Sequence, residues 1–444
     1  MRRKLSLFAI FACLVITFNL FVIAAPNIDF YIEEYTLAIA KLTGLWGFVL
    51  LGITFFLSGR WAVVDYAFEG QDQSYKWHHN LGRFALAVTL LHPIFLIYRA
   101  IPNSDRVLEL LLPVGSLDVS FGILALYGFI FLITLTVLVS LPYRLWKATH
   151  IFMSFPLLLA GLHIFFVDGI VRQDAVLFAW MAFFFALGIF SQIFRRLIYP
   201  FLYSRTYKVK TIEHIEKGVI WDIWLEATGR VHVFAPGQYF FAKFYSKGLK
   251  QDEHPFSVAN FDASGKVVRL GIKNLGDFTS KLSSLSIGDY VELMGPHGGF
   301  GDAYLENLLR VEQGNASSEQ KHMVLIGGGI GVTPILSLLD HAKQNAVQAP
   351  ITVYYSTVKA EEAVYEKEIK EAISALPNAS YIPFPEETKG FLSAEQILED
   401  TKADPKDILA FICGPPGMMS ALRSQLLAKG TPSAQIISED FGFK

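Results

Sequence analysis

Six apolar segments, each near the length needed to cross a bilayer, dominate the first 203 residues of the chain. They lie at about 5–25, 37–57, 78–98, 119–141, 148–167 and 173–194. A helix that crosses the hydrocarbon core needs about 20 predominantly apolar residues. Charge is distributed to match, since only 25 of the 78 Asp, Glu, Lys and Arg residues precede residue 204. The sequence therefore predicts an integral membrane helical bundle followed by a charged, water-exposed body.

The basic residues of the connecting loops predict how this bundle is oriented. With the N-terminus inside, the inner loops carry Arg2, Arg3, Lys4, Arg60, Lys76, Arg144, Lys147, Arg195 and Arg196. The outer loops carry only Arg99, Arg106 and Arg172. The body after residue 203 is then cytoplasmic, in what we expect to be a bacterial inner membrane. The first segment, from MRRK to VIAAP, has features of a signal peptide, but its long apolar run favours a retained helix.

Charge and cysteine content exclude several classes of function. The formal net charge is −2, so nothing indicates a nucleic-acid partner. The two cysteines, Cys13 and Cys413, are far apart and predict no disulfide framework. The sequence contains no CxxCH, which excludes a haem of the covalently attached c type. No feature of the sequence requires a protein partner, and membrane lipid is the predicted surrounding.

Histidines occur in pairs in two of the apolar segments. The third segment carries His78 and His92, and the fifth carries His150 and His163. Ionisable groups inside a bilayer are costly and usually functional. Because both segments run from inside to outside, the histidines form two levels at matching depths. Two facing imidazoles are a suitable ligand set for haem iron, whereas zinc would be short of ligands.

Helical periodicity decides which histidines share a face. His78 and His92 are 14 residues apart, so they lie about 40° from alignment on an α-helix. His79 would be far off that face, which favours His78 as the ligand. His150 and His163 are 13 apart and do not align, so we expect a kink or local rewinding at Pro156. The two levels are then separated by about 20 Å at 1.5 Å per residue.

The charged body has two parts with different patterns. Residues 205–303 contain short alternating runs such as VIWDIWLEA and KVVRLGIKN, which predict a small antiparallel barrel. After a polar linker, strands alternate with helices, which predicts a parallel sheet covered by helices. GGGIGVTP lies at a strand-to-helix turn, where the glycines and the helix N-terminus favour a pyrophosphate. The predicted domains are 1–203, 204–305 and 320–444.

These motifs together resemble the NADPH oxidase and ferric reductase family over roughly residues 35–444. The similar segments are HHNLGR (78–83), HPFS (254–257), IKNLGDFT (272–279), GGGIGVTP (327–334), CGPPGM (413–418) and the terminal EDFGFK. The resemblance implies a six-helix domain with two b-type haems, an FAD-binding barrel and a Rossmann-like NAD(P)H domain. It implies that His78, His92, His150 and His163 are the iron ligands.

The resemblance also implies the sites of the flavin and the nucleotide. The flavin would be lined by His254, Pro255, Phe256 and Ser257, with Ser257 near its N5. Its phosphates would be held by Lys273, Gly276, Asp277, Phe278 and Thr279. The nicotinamide nucleotide would be held by Gly327, Gly328, Gly329, Ile330, Gly331, Thr333, Pro334, Cys413, Gly414 and Pro415. Phe441 would cover the flavin ring, with Phe443 as the alternative; Phe441, Cys413 and Ser257 would be the catalytic residues.

The expected activity is electron transfer from cytoplasmic NAD(P)H through FAD and two haems to an outer acceptor. Molecular oxygen giving superoxide is favoured, and reduction of a ferric or cupric chelate is the close alternative. Leu96 stands where animal oxidases have a further histidine, which weakens the case for oxygen. Less favoured are a haem-handling membrane protein and a haem-free, membrane-anchored flavin reductase. Lys359 favours NADPH as the donor, with NADH as the alternative.

Overall fold

The computed structural model describes residues 2–25, 34–68, 70–215, 219–249, 252–262, 264–312 and 320–439. Contacts divide the chain into two compact units. The first comprises Met1–Phe68 and Gln73–Tyr199, and the second comprises Glu69–Asp72 and Pro200–Lys444. The three domain boundaries expected from the sequence remain predictions.

The first unit is entirely helical in its described part. Its helices are α1 (Arg2–Ala24), α2 (Tyr35–Leu57), α3 (Ala62–Phe68), α4 (Gln71–Ala100), α5 (Ser104–Leu111), α6 (Leu117–Val137), α7 (Tyr143–Ile151), α8 (Ser154–Phe166), α9 (Ile170–Gln173) and α10 (Ala175–Ile193). A π-helical turn, Phe194–Ile198, follows α10 and leads into α11 (Tyr199–Tyr203). Within the described residues, six helical stretches are long and apolar enough to cross a membrane, which confirms the predicted number.

Apolar side chains lie on both the inside and the outside of this bundle. Val49, Leu157 and Met181 are fully buried in its core. Phe131, Phe155 and Phe183 are more than half exposed along the long helices. Such a surface is costly in water but not in contact with lipid tails, where apolar side chains need no cover. The distribution supports an integral membrane protein.

The first helix packs into the bundle through polar as well as apolar contacts. The Trp46 indole donates to the carbonyl of Leu14 at 2.9 Å. The Trp180 indole donates to the hydroxyl of Thr17 at 2.9 Å. Phe21 is buried in the same core as the helices that follow. These contacts support the expectation that the first apolar segment is part of the bundle.

The fifth predicted span is interrupted, as its proline suggested. Helix α7 ends at Ile151 and α8 begins at Ser154, so Phe152 and Met153 separate them. Pro156 has no N–H to bond the carbonyl of Phe152, and its ring obstructs a continuous helix at that point. The break therefore lies just before Pro156 and rewinds the chain between His150 and His163.

The second unit begins with a closed antiparallel barrel, which confirms the predicted fold of this part. Its strands are β1 (Ser204–Ile215), β2 (Ile220–Ala227), β3 (Tyr239–Tyr245), β4 (His254–Phe261), β5 (Val267–Lys273) and β6 (Tyr290–His297). They pair in the order β1-β2-β5-β4-β3-β6. Alternate residues such as Ile223 and Leu225 point inward and are fully buried. This follows from the two-residue period of a strand with one face toward the core.

The remainder of the unit is a parallel sheet covered by helices. Its strands are β7 (His322–Gly328), β8 (Ile351–Thr357), β9 (Ala379–Pro385), β10 (Ile408–Cys413) and β11 (Ile436–Glu439). They lie in the order β11-β10-β7-β8-β9. From β7 the chain adds β8 and β9 on one side, and it then crosses to the other side of β7 to add β10 and β11. Its helices are α12 (Phe300–Glu312), α13 (Thr333–Gln344), α14 (Glu366–Ser374), α15 (Glu386–Lys389), α16 (Ala394–Thr401) and α17 (Pro416–Ala428). The change of side between β7 and β10 opens a crevice at the carboxyl ends of these strands, and nucleotides bind in crevices of this kind.

An ion-pair network connects the barrel to this sheet domain. Arg269 on β5 donates to Asp222 on β2 and, through both terminal nitrogens, to Glu368 on α14. The guanidinium group is nearly buried and also lies over the rings of Trp224 and Tyr365. A buried, fully bonded arginine of this kind fixes the geometry of the groups around it. The two parts of the second unit are thereby held together at the nucleotide domain's α14.

Candidate cofactor sites

Helices α4, α7 and α8 bring the four predicted histidine ligands together as two pairs. The rings of His78 and His150 are 5.9 Å apart between centroids. The rings of His92 and His163 are 6.2 Å apart. Both pairs are edge-to-face, with interplanar angles of 67° and 68°. The alternative ligand, His79, lies 5.7 Å from the ring of His78.

The hydrogen bonds of these imidazoles leave one nitrogen free for a ligand bond. The Nδ1 atoms of three of them donate to backbone carbonyls, His78 to Thr54 at 2.7 Å, His92 to Ala40 at 2.8 Å and His163 to Asp118 at 2.8 Å. A carbonyl only accepts, so each of these rings carries its proton on Nδ1. The Nε2 atom then presents a lone pair, as in most histidine ligands of metals.

Two glycines make room for the rings of the His92–His163 pair, which is called the outer pair below. A methyl group on Gly44 would lie 2.8 Å from Nδ1 of His92, and one on Gly122 would lie 2.8 Å from Nδ1 of His163. Those separations are too short for a carbon atom, so each ring depends on the absence of a side chain opposite it. The sequence analysis did not identify these glycines, because their role depends on contacts between different helices.

The histidine pairs fit haem better than a bare metal ion. Among the described residues, no group of three or more His, Cys, Asp or Glu side chains could hold a metal ion. A structural zinc site needs about four protein ligands. A haem would bring four nitrogens of its own, and the two histidines of each level would be enough to hold it. The separation between paired rings also leaves room for a metal bonded to both at about 2 Å.

The predicted flavin residues lie on β4 and on the turn after β5. His254 stacks on Phe278 with ring centroids 3.9 Å apart. Ser257 is buried and opposite Tyr239 in the barrel register. Thr279 uses its hydroxyl to accept from the N–H groups of Leu275 and Gly276, which fixes the turn that we expect to hold a phosphate.

Lys273, a predicted ligand of the flavin phosphates, also lies close to the glycine turn of the nucleotide domain. Its ammonium group is 4.0 Å from a carboxylate oxygen of Glu362. It is also the nearest group to the position that a methyl group on Gly329 would occupy. Gly329 belongs to the glycine turn of the nucleotide domain and has a φ of 54°. Lys273 is thus placed next to the predicted nucleotide loop.

The two predicted nucleotide segments meet at the crevice between β7 and β10. A methyl group on Gly331 would overlap the carbonyl oxygen of Cys413. One on Gly328 would lie 2.8 Å from Cδ of Pro415. Thr333 then begins α13, with Pro334 in its first turn. The glycines therefore permit the close approach of two strand ends at a helix N-terminus, which suits a pyrophosphate. Cys413 itself is buried at the end of β10.

Glu439 is a candidate site residue that the sequence analysis missed. It pairs in register with Cys413 on the neighbouring strand. Its Oε1 atom accepts from the N–H groups of Gly299 and Phe300 at 2.8 and 3.4 Å, at the start of α12. Its Oε2 atom is buried and has no hydrogen-bond partner among the described residues. Burial raises the pKa of this carboxyl group to about 8. Glu439 is the glutamate of the E-x-F pattern, but the pattern was used only to choose Phe441 as the predicted flavin cover.

The predicted flavin cover lies outside the described residues. Phe441 and its alternative Phe443 are both in the last five residues of the chain. Their assignment remains a prediction, as do the ligand roles of the other site residues.

Two family models match the chain in the expected order. The model described as "Ferric reductase like transmembrane component" matches residues 43–161. That range includes His78, His92 and His150 and ends just before His163. The model described as "Oxidoreductase NAD-binding domain" matches residues 325–424. That range includes both glycine-containing nucleotide segments.

Curated relatives match just under half of the chain. The reductase component of propane 2-monooxygenase from Rhodococcus jostii (strain RHA1) is 28% identical over 221 residues, which are 47% of this chain and 55% of that protein. The electron transfer subunit of dihydroorotate dehydrogenase B (NAD(+)) from Listeria innocua serovar 6a is 30% identical over 193 residues, 43% of this chain and 67% of that protein. The chain spans about half the length of the first curated relatives that it matches.

A solved structure shows the same fold over most of the chain. It is a flavohemoglobin from Malassezia yamatoensis with bound FAD and heme, 17% identical, with a TM-score of 0.51. The match covers 93% of this chain and 97% of that one. Together the two family matches and the relatives show an electron-transfer oxidoreductase with an NAD-binding domain. The chain is therefore an integral membrane oxidoreductase in which a ferric-reductase-like transmembrane component precedes an oxidoreductase NAD-binding domain.

Proposed function

We propose that this protein carries electrons from NAD(P)H through FAD and two b-type haems to molecular oxygen on the other side of the membrane. The observation that carries the proposal is the two facing histidine pairs at two levels of the bundle. Each NAD(P)H supplies two electrons, so one turnover reduces two O2 to two superoxide ions and releases NAD(P)⁺ and one proton. A single histidine pair would provide a site for only one electron carrier within a hydrocarbon core about 30 Å thick.

The residues have separate tasks in this proposal. The flavin supplies the conversion of a hydride donor into single electrons, and haem iron supplies one-electron carriers. His78 and His150 hold the inner haem, and His92 and His163 hold the outer one. The β4 residues and the Gly276–Thr279 turn hold the flavin, and the two strand-end glycine segments position the nucleotide against it. The protein thereby sets the order and spacing of the carriers.

The orientation of the protein rests on its loop charges. The predicted inner loops carry nine lysines and arginines and the outer loops three. By the positive-inside rule the FAD and nucleotide module is cytoplasmic, and His92 and His163 lie toward the outer face. We propose a bacterial inner membrane as the location.

Lys41 is adjacent in sequence to the residue that bonds His92, and its charge would stabilise an anionic product or substrate there. Lys41 follows Ala40, whose carbonyl accepts from His92. It interacts electrostatically with Asp168, five residues beyond His163. Superoxide and anionic ferric chelates would both benefit from this charge. Reduction of a metal chelate is therefore the second candidate function.

The deciding experiment is NADPH-driven reduction of cytochrome c in air, using protein loaded with haem and FAD. Superoxide dismutase is added to one of two matched samples. Loss of the signal with dismutase supports oxygen as the acceptor. A signal that is absent or resists dismutase contradicts it, and ferric and cupric chelates are then tested as acceptors.

A spectrum distinguishes this proposal from its two remaining rivals. After dithionite, two b-type haems give split bands in the visible region, whereas a haem-free flavin reductase gives none. Ready transfer of haem from the protein to an apo-haem protein would instead favour a haem-handling role.

The choice between the two nucleotides depends on the carboxyl ends of β8 and β9. We propose NADPH as donor, with NADH also accepted. Lys359 follows β8, and we expect its ammonium group to bind the 2′-phosphate. Glu387 lies against the same segment, because its carboxylate accepts from the N–H of Ala360 at 3.1 Å. Opposite charges at one place predict modest discrimination.

A further inference from the structure

One of the four paired histidines differs from the other three in its hydrogen bonding. His78, His92 and His163 each donate from Nδ1 to a backbone carbonyl. The Nδ1 atom of His150 is buried, and no described residue offers it a hydrogen-bond partner. The outer pair therefore has two bonded imidazoles, whereas the inner pair has one.

Trp146 packs against the ring that carries this nitrogen. It lies one turn before His150 on α7, and the two rings stack with centroids 5.3 Å apart and an interplanar angle of 15°. An indole has an N–H donor and no acceptor, so it cannot receive the proton of an imidazole Nδ1. The carbonyl of Trp146 accepts from the hydroxyl of Thr149. The stacked indole thus covers the imidazole of His150 without accepting a hydrogen bond from its Nδ1 atom.

The difference has a predictable effect on a bound iron. A hydrogen bond from the distal nitrogen of a histidine ligand to an acceptor raises the basicity of that ligand. A more basic ligand stabilises oxidised iron over reduced iron and lowers the reduction potential. The outer site, with two such bonds, would have the lower potential and the inner site the higher one.

Nearby charges act in the same direction. The guanidinium group of Arg195, which donates to the carbonyl of Ser58 at 2.9 Å, lies within electrostatic range of both His78 and His150. A cation disfavours the more positive, oxidised iron and raises the potential. At the outer site, the carboxylate of Asp118 acts on His163, and its negative charge lowers the reduction potential of that site. Lys41, which follows Ala40 in the sequence, interacts with Asp168.

We propose that Trp146 is a positioning residue that keeps Nδ1 of His150 without an acceptor, so that the inner haem site has a higher reduction potential than the outer one. The inference rests on the proposed function, because it requires two haems. Its consequence is that the outer site is the stronger reductant. That order fits a weakly oxidising one-electron acceptor, such as molecular oxygen, better than a strongly oxidising one.

The test is a spectroscopic redox titration of the haem-loaded protein. The inner midpoint is assigned with His92→Leu, which retains the inner pair alone. In Trp146→Gln, the amide oxygen is placed one turn from His150 and offers the missing acceptor. Trp146→Leu is the matched control, since it removes the stacked ring and adds no acceptor. We expect the inner midpoint to exceed the outer one in the unaltered protein, and to fall in Trp146→Gln but not in Trp146→Leu.

Three results would overturn the inference, and they are distinguishable. An outer midpoint equal to or above the inner one in the unaltered protein contradicts the assigned order, whatever the variants do. An equal fall in both Trp146 variants shows that stacking, and not the hydrogen bond, sets the potential. A protein that takes up no haem at all contradicts the proposed function itself, and this inference with it.

Discussion

The buried carboxyl group of Glu439 couples the folding of the second unit to pH. Its folded pKa of about 8 lies well above its usual range. The folded state therefore binds a proton more tightly than the unfolded state, whose glutamate titrates near pH 4. By linkage, stability decreases as pH rises from about 4 to 8, and is constant above that.

Replacement of this carboxyl by an amide should remove that slope. In Glu439→Gln, we expect the melting temperature, followed by flavin fluorescence, to fall less between pH 5 and 8 than in the unaltered protein. Glu395→Gln, at an exposed position, is the control and should keep the original slope. Identical slopes in all three proteins would show that Glu439 does not titrate in this range.

Another residue-scale prediction concerns the space around the outer histidine pair. An added methyl group in Gly122→Ala would meet the ring of His163, and relieving such overpacking costs about 1–3 kcal/mol. We expect the haem content to fall from two per protein to about one, measured by the absorbance of the extracted haem. Gly169→Ala is the control, because nothing lies within 4 Å of the added group. Full haem content in Gly122→Ala would contradict the proposed ligand role of His163.

At the scale of elements, the proposed choice between NADPH and NADH depends on the ends of β8 and β9. Glu387→Gln keeps the acceptor for Ala360 but removes a negative charge beside Lys359. We expect the KM for NADPH to fall several-fold and that for NADH to change little, because only NADPH carries the 2′-phosphate. Lys359→Ala should have the opposite effect on NADPH.

The measurement for these two variants is the rate of ferricyanide reduction, which does not require the haems. Glu371→Gln, on the exposed side of α14, is a suitable control for a general change in charge. Equal effects on both nucleotides in either variant would show that this segment does not contact the 2′ position.

At the scale of the whole molecule, the proposed order of carriers predicts which reactions survive a lesion. His92→Leu would remove a proposed ligand of the outer haem and leave the flavin and nucleotide module unchanged. We expect anaerobic reduction of the flavin by NADPH at the original rate, and at least a tenfold loss of superoxide production. Loss of both reactions would contradict the proposed order, whereas retention of both would exclude the outer pair from the path.

Much of this architecture follows from sequence because it depends on local pattern. Long apolar runs predict six spans whatever their packing, since the bilayer fixes their length. Two-residue alternation predicts the barrel, and alternating strands and helices predict the parallel sheet. The spacing of His78 and His92 places them on one face of α4 because an α-helix has a fixed period.

Other features were decided by contacts between segments that are distant in sequence. Glu439 is buried because β11 lies beside β10 and against the start of α12. The proton positions on His78, His92 and His163 depend on carbonyls of other helices, 24 to 52 residues away. Periodicity does not encode such partners. The sequence by itself determined the membrane bundle, the order of the domains and the candidate ligands. Only the tertiary structure determined which ring nitrogen of three histidines carries the proton, which carboxyl group is buried and which glycines lie against the ligand rings.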